Sequence, residues 1–482
     1  MIPFSELTAI GLYIAVLFFI GFLSYRKHQT ASDFILGARS LNYWLTAMAA
    51  HASDMSSWLF MGFPAIIFTG GLFNAWFAVG LTLFMFLNWL FIAPKIRIKT
   101  EEYDSMTFSS FFESRFHDTS GLIRIFTALL SLIFYTIYIS AGIVGLGLLL
   151  ESLFHIPYLI GISVGVIIVI PYLFIGGYTT LAWIDLFQGL FLLLVIIAVP
   201  LIVLPKVNGF QGISAALTVN KLSFSMLPNL EPSTLWKILF AICGWGIGYF
   251  GQPHIVTKFM GIKKVGHIRK SMMVGMSWQV LALGSATIIG LIGIAYFKGH
   301  LDNSELIFVH MVQDIFPPFI MAFILCAVLG ATISTMDSQI LVLASSLTED
   351  FYKRIFHKNA TSKQLLWVSR LFILLVTAIS FIIAFFKISS IYSLVFFAWA
   401  GLGSSFGPLL LFSLYSKSAN KYGAWAGIIV GGVISLIWPV FNHYFTYNVP
   451  TLIPGFLLSS LAIILVSSIT KHPKGADLKN IQ

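Results

Sequence analysis

Thirteen apolar runs of about 20 residues or more, parted by short polar breaks, leave this chain little choice of solvent. They lie near 5–25, 41–69, 72–94, 122–150, 157–177, 184–205, 235–257, 271–297, 317–346, 364–386, 391–415, 422–443 and 451–470. About 20 helical residues cross a bilayer, and a lipid-exposed segment must pair its own backbone, so the pattern predicts an all-α polytopic membrane protein with thirteen transmembrane helices. Composition agrees, since only 10% of residues are charged against roughly a quarter in soluble domains. The N-terminus carries Glu6 at the start of the first run and no basic residue ahead of it, and no small-residue cleavage site follows, which predicts a retained helix rather than a signal peptide.

The formal net charge of +10 does not imply a nucleic-acid partner, because the 28 Lys and Arg fall in short blocks between apolar runs. Basic blocks are retained on the cytoplasmic side, so their placement predicts orientation. With the N-terminus outside, the inner loops receive Arg26, Lys27, Lys95, Arg97, Lys99, Lys258, Lys263, Lys264, Lys353 and Arg354, among others. The outer loops and helix ends receive only Lys206, Lys221, Lys237, Lys298 and Lys387. Lys471, Lys474 and Lys479 then put the C-terminus in the cytoplasm of an inner-membrane protein.

Two segments are unfit to be continuous helices. The second reads LTAMAAHASDMSSWLFMGFP, with His51, Ser53, Asp54, Ser56 and Ser57 at about mid-depth and Gly62 and Pro64 beyond them. The seventh reads ICGWGIGYFGQPH, with Gly244, Gly246, Gly248, Gly251 and Pro253. Glycine costs about 1 kcal/mol and proline about 3 relative to alanine in a helix, so both segments are expected to unwind where protein or a cavity surrounds them. They stand five crossings apart and therefore run in opposite directions. Broken helices at matching places in oppositely oriented halves indicate an inverted-repeat transporter, with repeats at 41–205 and 235–415.

Of the acidic residues, Asp54, Asp185 and Asp337 fall in or at the ends of apolar segments away from long loops, where a charge is costly and a function is the default expectation. Asp54 can attract a cation, carry a proton or hold neighbouring backbone. Asp185 suits an ion relay, a solvated interface or a helix cap. In segment nine, Ala331, Ser334, Thr335 and Ser338 recur at i, i+3, i+4 and i+7 and share one face. Such a face offers oxygen ligands to a hard cation such as sodium, or a small-residue surface for helix packing. Asp337 points about 60° from Ser334 around that helix. Trp245, Tyr249 and Pro253, four residues apart, make either a pocket wall or a packing stripe.

Cys243 and Cys326 lack metal or redox spacing, and no phosphate-binding loop, hydrolase elbow or zinc-protease motif occurs. The chain therefore reads as a transporter driven by an ion gradient rather than an enzyme, each charge crossing 100 mV being worth about 2.3 kcal/mol. Coupling by sodium, coupling by a proton on Asp54 or His51, and a solute sensor that moves nothing all fit these residues.

GARSL with Arg39, ASDMSSW around Asp54, GWGIGYFGQPH, and ISTMDSQILV followed by SSLTEDFYK together resemble the solute:sodium symporter family, most closely its sodium/proline branch. The resemblance implies a leucine-transporter-like fold with a five-plus-five inverted repeat, sodium influx driving uptake of a small solute by alternating access, and proline as that solute. Carried onto matching positions, it implies sodium ligation by the carbonyls of Ala52, Met55 and Ala331 and the hydroxyls of Ser334 and Thr335. It implies a substrate site at Trp245, Tyr249, Pro253 and Tyr138, and coupling roles for Arg39, Asp54, Ser56 and Asp185. His51 and Asn74 depart from the branch pattern near the expected pocket, which leaves room for another small amino acid or a carboxylate.

Overall fold

The computed structural model describes residues 4–24, 31–175, 177–445 and 448–470. The orientation charges Arg26, Lys27, Lys471, Lys474 and Lys479 lie outside the described residues, as does Gly176. The principal helices are α1 (Phe4–Ser24), the broken pair α2 (Tyr43–Met55) and α3 (Gly62–Gly70), α4 (Trp76–Leu87), α5 (Ala93–Glu102), α6 (Leu122–Phe154), α7 (Tyr158–Ile175) and α8 (Tyr178–Val203). A second broken pair follows as α9 (Pro232–Gly246) and α10 (Pro253–Met260). Then come α11 (Ile268–Tyr296), α12 (Pro318–Ser346), α13 (Ser362–Phe385), α14 (Ile391–Tyr415), α15 (Lys421–Phe441) and α16 (Leu452–Ile469). Among the described residues no strand is present beyond one bridge between Leu41 and Ile262.

By length and composition, 11 helical stretches among the described residues can cross a membrane. One of them, Ser57–Glu102, holds 46 residues, more than one crossing needs, and is interrupted at Gly71 with φ +70°. The expected segment 157–177 falls outside the count because α7 is a shorter apolar helix, and 41–69 has no stretch of its own, because α2 is short and α3 is counted within Ser57–Glu102.

The chain departs from the sequence pattern beyond residue 94. A π turn, Asn88–Ile92, joins α4 to α5, so the helix runs on to Glu102. Pro94 has no N–H to give, and its missing bond falls at that junction. Lys95, Arg97 and Lys99 consequently lie on a helix and not in a loop. Arg97 is buried, donating through Nε to Ile262 O (2.6 Å) and pairing with Glu101 (2.7 Å).

Helices α6, α12 and α14 are mostly buried, whereas α1, α15 and α16 expose large apolar side chains outward. Lipid offers no hydrophobic gain for helix association, so close approach through small residues carries the packing. Along α15, Gly423 and Gly427 seat Ser467 and Ile463 of α16 so closely that a Cβ at either glycine would clash. The second break is packed the same way against α14. A Cβ on Gly248 would run into the indole nitrogen of Trp399, and one on Gly251 would sit 2.6 Å from Gly407 N. Replacing Gly248 by Ala is expected to cost about 1–3 kcal/mol through overpacking, read as a lower thermal midpoint of the purified protein. Gly266→Ala, with open space around its Cβ, should leave the midpoint unchanged.

Candidate functional site

Helix α2 stops at Met55 because Ser56 turns to φ +49°, ψ −163°, a conformation costing an L-residue about 1–3 kcal/mol. Its last four carbonyls, Ala52 to Met55, lose their intrahelical amide partners and sit at the negative end of the helix dipole. The Ser56 N–H donates instead to Thr335 Oγ1 (2.9 Å) on α12. The Thr335 hydroxyl donates in turn to Ala331 O (3.1 Å), and the Ser334 hydroxyl donates to Asp185 Oδ1 (2.6 Å) on α8. Both hydroxyls have thus committed their protons and keep only lone pairs to offer, that of Thr335 lying where α12 packs against α2.

The second break is held by the same means with the partners exchanged. Between α9 and α10, Gln252 is extended (φ −94°, ψ 103°), and its amide donates to Gly248 O (3.2 Å) and Trp399 O (3.1 Å). Trp399 Nε1 donates to Trp245 O (2.8 Å), and Asn88 Nδ2 to Tyr249 O (3.1 Å). At the start of α10 the His254 N–H donates to the hydroxyl of Tyr135 on α6 (2.9 Å). Beside the first break, Phe60 packs on Phe308 of the short helix Ile307–Ile315 (4.9 Å between centroids).

A small cavity of about 10 Å³ lies between the breaks, lined by Asp54, Met55, Trp58, Tyr138, Trp245 and Tyr249, with Leu81, Val395 and Trp399 behind them. The Tyr249 hydroxyl donates to Asp54 Oδ2 (2.5 Å) and accepts from Gln279 Nε2 (3.3 Å), so one buried bond joins the two broken segments. Trp245 packs against Trp58 (5.1 Å between centroids) and is backed by Tyr392 (5.5 Å) and Phe396 (5.2 Å). The start of α14 that carries Tyr392 is capped by Glu305, which accepts from the Ile391 and Tyr392 amides (3.2 and 3.0 Å). Burial raises the Glu305 pKa above the ordinary carboxylate value, and the two amides oppose that shift.

The sequence candidates divide among several places. Asp54, Met55, Tyr138, Trp245 and Tyr249 share the cavity, and Ser56, Thr335 and Ala331 are joined at the first break, where Ala52 lies in the last turn of α2 and Ser334 turns to Asp185. His51 does not line the cavity and lies one residue behind it, beside Gln279. It is fully buried, accepts from Trp89 Nε1 (3.0 Å), and lies against Trp278 and Gly275. Asn74 sits beyond the far end of α3, where Nδ2 donates to Ile66 O (2.6 Å). Pro253 lines a different recess, with Phe108, Ser131, Thr257 and Ser346. Arg39 lies ahead of α2 with φ +54° and donates to Thr100 O (2.8 Å) and Ser105 O (3.2 Å), while burial and then Arg97 lower its pKa. Asp337 is buried on α12 near Tyr13.

Asp185 is neither solvated nor a cap. It is buried within α8 and pairs with Lys258 Nζ (3.2 Å), which also donates to Ser338 Oγ (2.9 Å). Lys258, expected among the loop charges, is one of the largest fully buried side chains. The basic-loop pattern absorbs it, although a lone Lys inside PHIVTKFMG is a visible signal. Sequence reasoning also passes over Gln279 and Tyr135, which lie among other polar groups inside long apolar helices.

A family model described as the sodium:solute symporter family matches residues 34–431. The chain belongs to that family. The sodium/proline symporter of Escherichia coli (strain K12) is 37% identical over 97% of this chain and 93% of its own length. The high-affinity proline transporter PutP of Bacillus subtilis (strain 168) is 38% identical over 95% of this chain and 96% of its own. A solved sodium-coupled sialic acid symporter superposes with TM-score 0.83 at 18% identity, covering 98% of this chain and 99% of that one, which places the fold among leucine-transporter-like proteins. A sodium:solute symporter needs hard oxygen donors without a cage of charge, and the lone pairs of Thr335 at the open end of α2 and of its neighbour Ser334 are of that chemistry. Thr335→Val keeps the shape but strands the Ser56 N–H. We expect a stability loss of about 1–3 kcal/mol in thermal unfolding without sodium, and recovery in Thr335→Ser.

Proposed function

We propose that this symporter couples sodium influx to uptake of L-proline across the cell's inner membrane, with the N-terminus outside and the C-terminus cytoplasmic. Sodium binds between the carbonyls of Ala52, Met55 and Ala331 and the hydroxyls of Ser334 and Thr335. The observation that carries this reading is that both hydroxyls donate elsewhere, to Asp185 and to Ala331 O, leaving acceptors only. Proline is supported by the names of the relatives; the aromatic lining beside Asp54 offers it a wall, and the cavity of about 10 Å³ must widen to admit it.

Sodium at this place holds the unwound end of α2 and so shapes the adjoining cavity, which makes sodium and substrate raise each other's affinity by the same factor. Tyr138, Trp245 and Tyr249 wall the substrate, whereas His51, Asn74 and Pro253 act from outside the cavity on the helices that form it. Arg39, Asp54, Ser56, Asp185 and Asp337 serve coupling. Thirteen crossings follow when α2 with α3, and α7, are each counted as one. Residues 41–205 and 235–415 form the two repeats, a reading supported by the exchange of partners at the breaks. Ser56 of the first is served by Thr335 of the second, and His254 of the second by Tyr135 of the first.

In proteoliposomes, labelled proline should accumulate under an inward sodium gradient and not when choline replaces sodium at equal ionic strength. Ser334→Ala should raise half-saturating sodium by about tenfold, the loss of one ligand. Uptake that follows a proton gradient and ignores sodium overturns the coupling. Proline failing to compete, while another small amino acid or carboxylate does, overturns the substrate.

A further inference from the structure

Lys258 is a full charge placed where a membrane protein can least accommodate one, with 2% of its side chain exposed. The ammonium lies on Asp185 Oδ2 and Ser338 Oγ and 5.3 Å from the Tyr178 ring centroid. The other carboxylate oxygen of Asp185 accepts from Ser334. A carboxylate and hydroxyls one helical turn apart are what a hard monovalent cation takes. Ser334 and Ser338 also belong to the α12 face that carries the sodium ligands proposed above.

We propose that Lys258 is a tethered cation filling a second cation site built from Asp185, Ser334 and Ser338, and that it thereby keeps one sodium ion out of the transport cycle. The tether balances Asp185 without drawing on the gradient. It also fixes which Ser334 lone pairs face the neighbouring sodium. This inference rests on the sodium site of the proposed function.

Labelled-sodium binding to the purified full chain tests it. Lys258→Met should bind one more sodium per chain than the unaltered protein. Lys258→Arg should keep the original number, and Lys258→Met with Asp185→Asn should return to it. A folded Lys258→Met protein with an unchanged number overturns the inference. Where Lys258→Met is not recovered folded, Asp185→Asn decides. An uncompensated ammonium beside Ser334 should then raise half-saturating sodium by about tenfold, and adding Lys258→Met should reverse it. An unchanged value in Asp185→Asn overturns the inference. An unaltered protein that binds no sodium at all defeats the proposed function instead, so the two failures are distinguishable.

Discussion

A backbone amide released from its helix inside a bilayer has no water to bond, and the interior of this protein is arranged around two such releases. At Ser56 the freed N–H is taken by a threonine hydroxyl, and at His254 by a tyrosine hydroxyl. Each acceptor comes from a long buried helix, α12 or α6, that the break must lie against. The glycines at the second break follow from the same requirement, because only without a Cβ can the extended stretch come close enough to α14 for Gln252 to reach the Trp399 carbonyl.

Charge is handled with similar economy. Asp54 accepts from a phenol and Asp185 faces an ammonium, so neither carboxylate stands alone among apolar helices. Hydroxyl protons matter as much as charges here. Had Ser334 or Thr335 kept its proton directed at α2, it would meet the carbonyl ends as a donor and compete with any cation for them.

The two breaks were legible in the sequence because glycine, proline and clustered serines are locally unfavourable in helices, and the shared face of Ala331, Ser334, Thr335 and Ser338 was legible because spacing alone fixes it. Partners distant in the chain were not. Nothing local in ISTMDSQ says that Ser334 bonds to Asp185, and the rule that counts basic residues as loop markers hid Lys258 and Arg97. His51 looked like a pocket residue from its neighbours in sequence. It stands one turn before Asp54 and about 60° round the helix from it, enough to aim the imidazole at Trp89 instead. The π turn before Pro94 escaped for a related reason, since it depends on which carbonyl finds an amide and not on hydropathy.

The small bridge at Leu41 has a mechanical consequence. The Leu41 N–H donates to Gly261 O (3.2 Å) and its carbonyl accepts from the Lys263 N–H (2.8 Å), stitching the chain just before α2 to the chain just after α10. The two half-helices are thereby yoked at the ends away from their breaks, while each is jointed at its own break. A tilt of one would pull on the other through these two bonds, as in a lever with two elbows, at Ser56 and Gln252. A small molecule or ion that stiffens one elbow therefore restrains both halves of the protein at once.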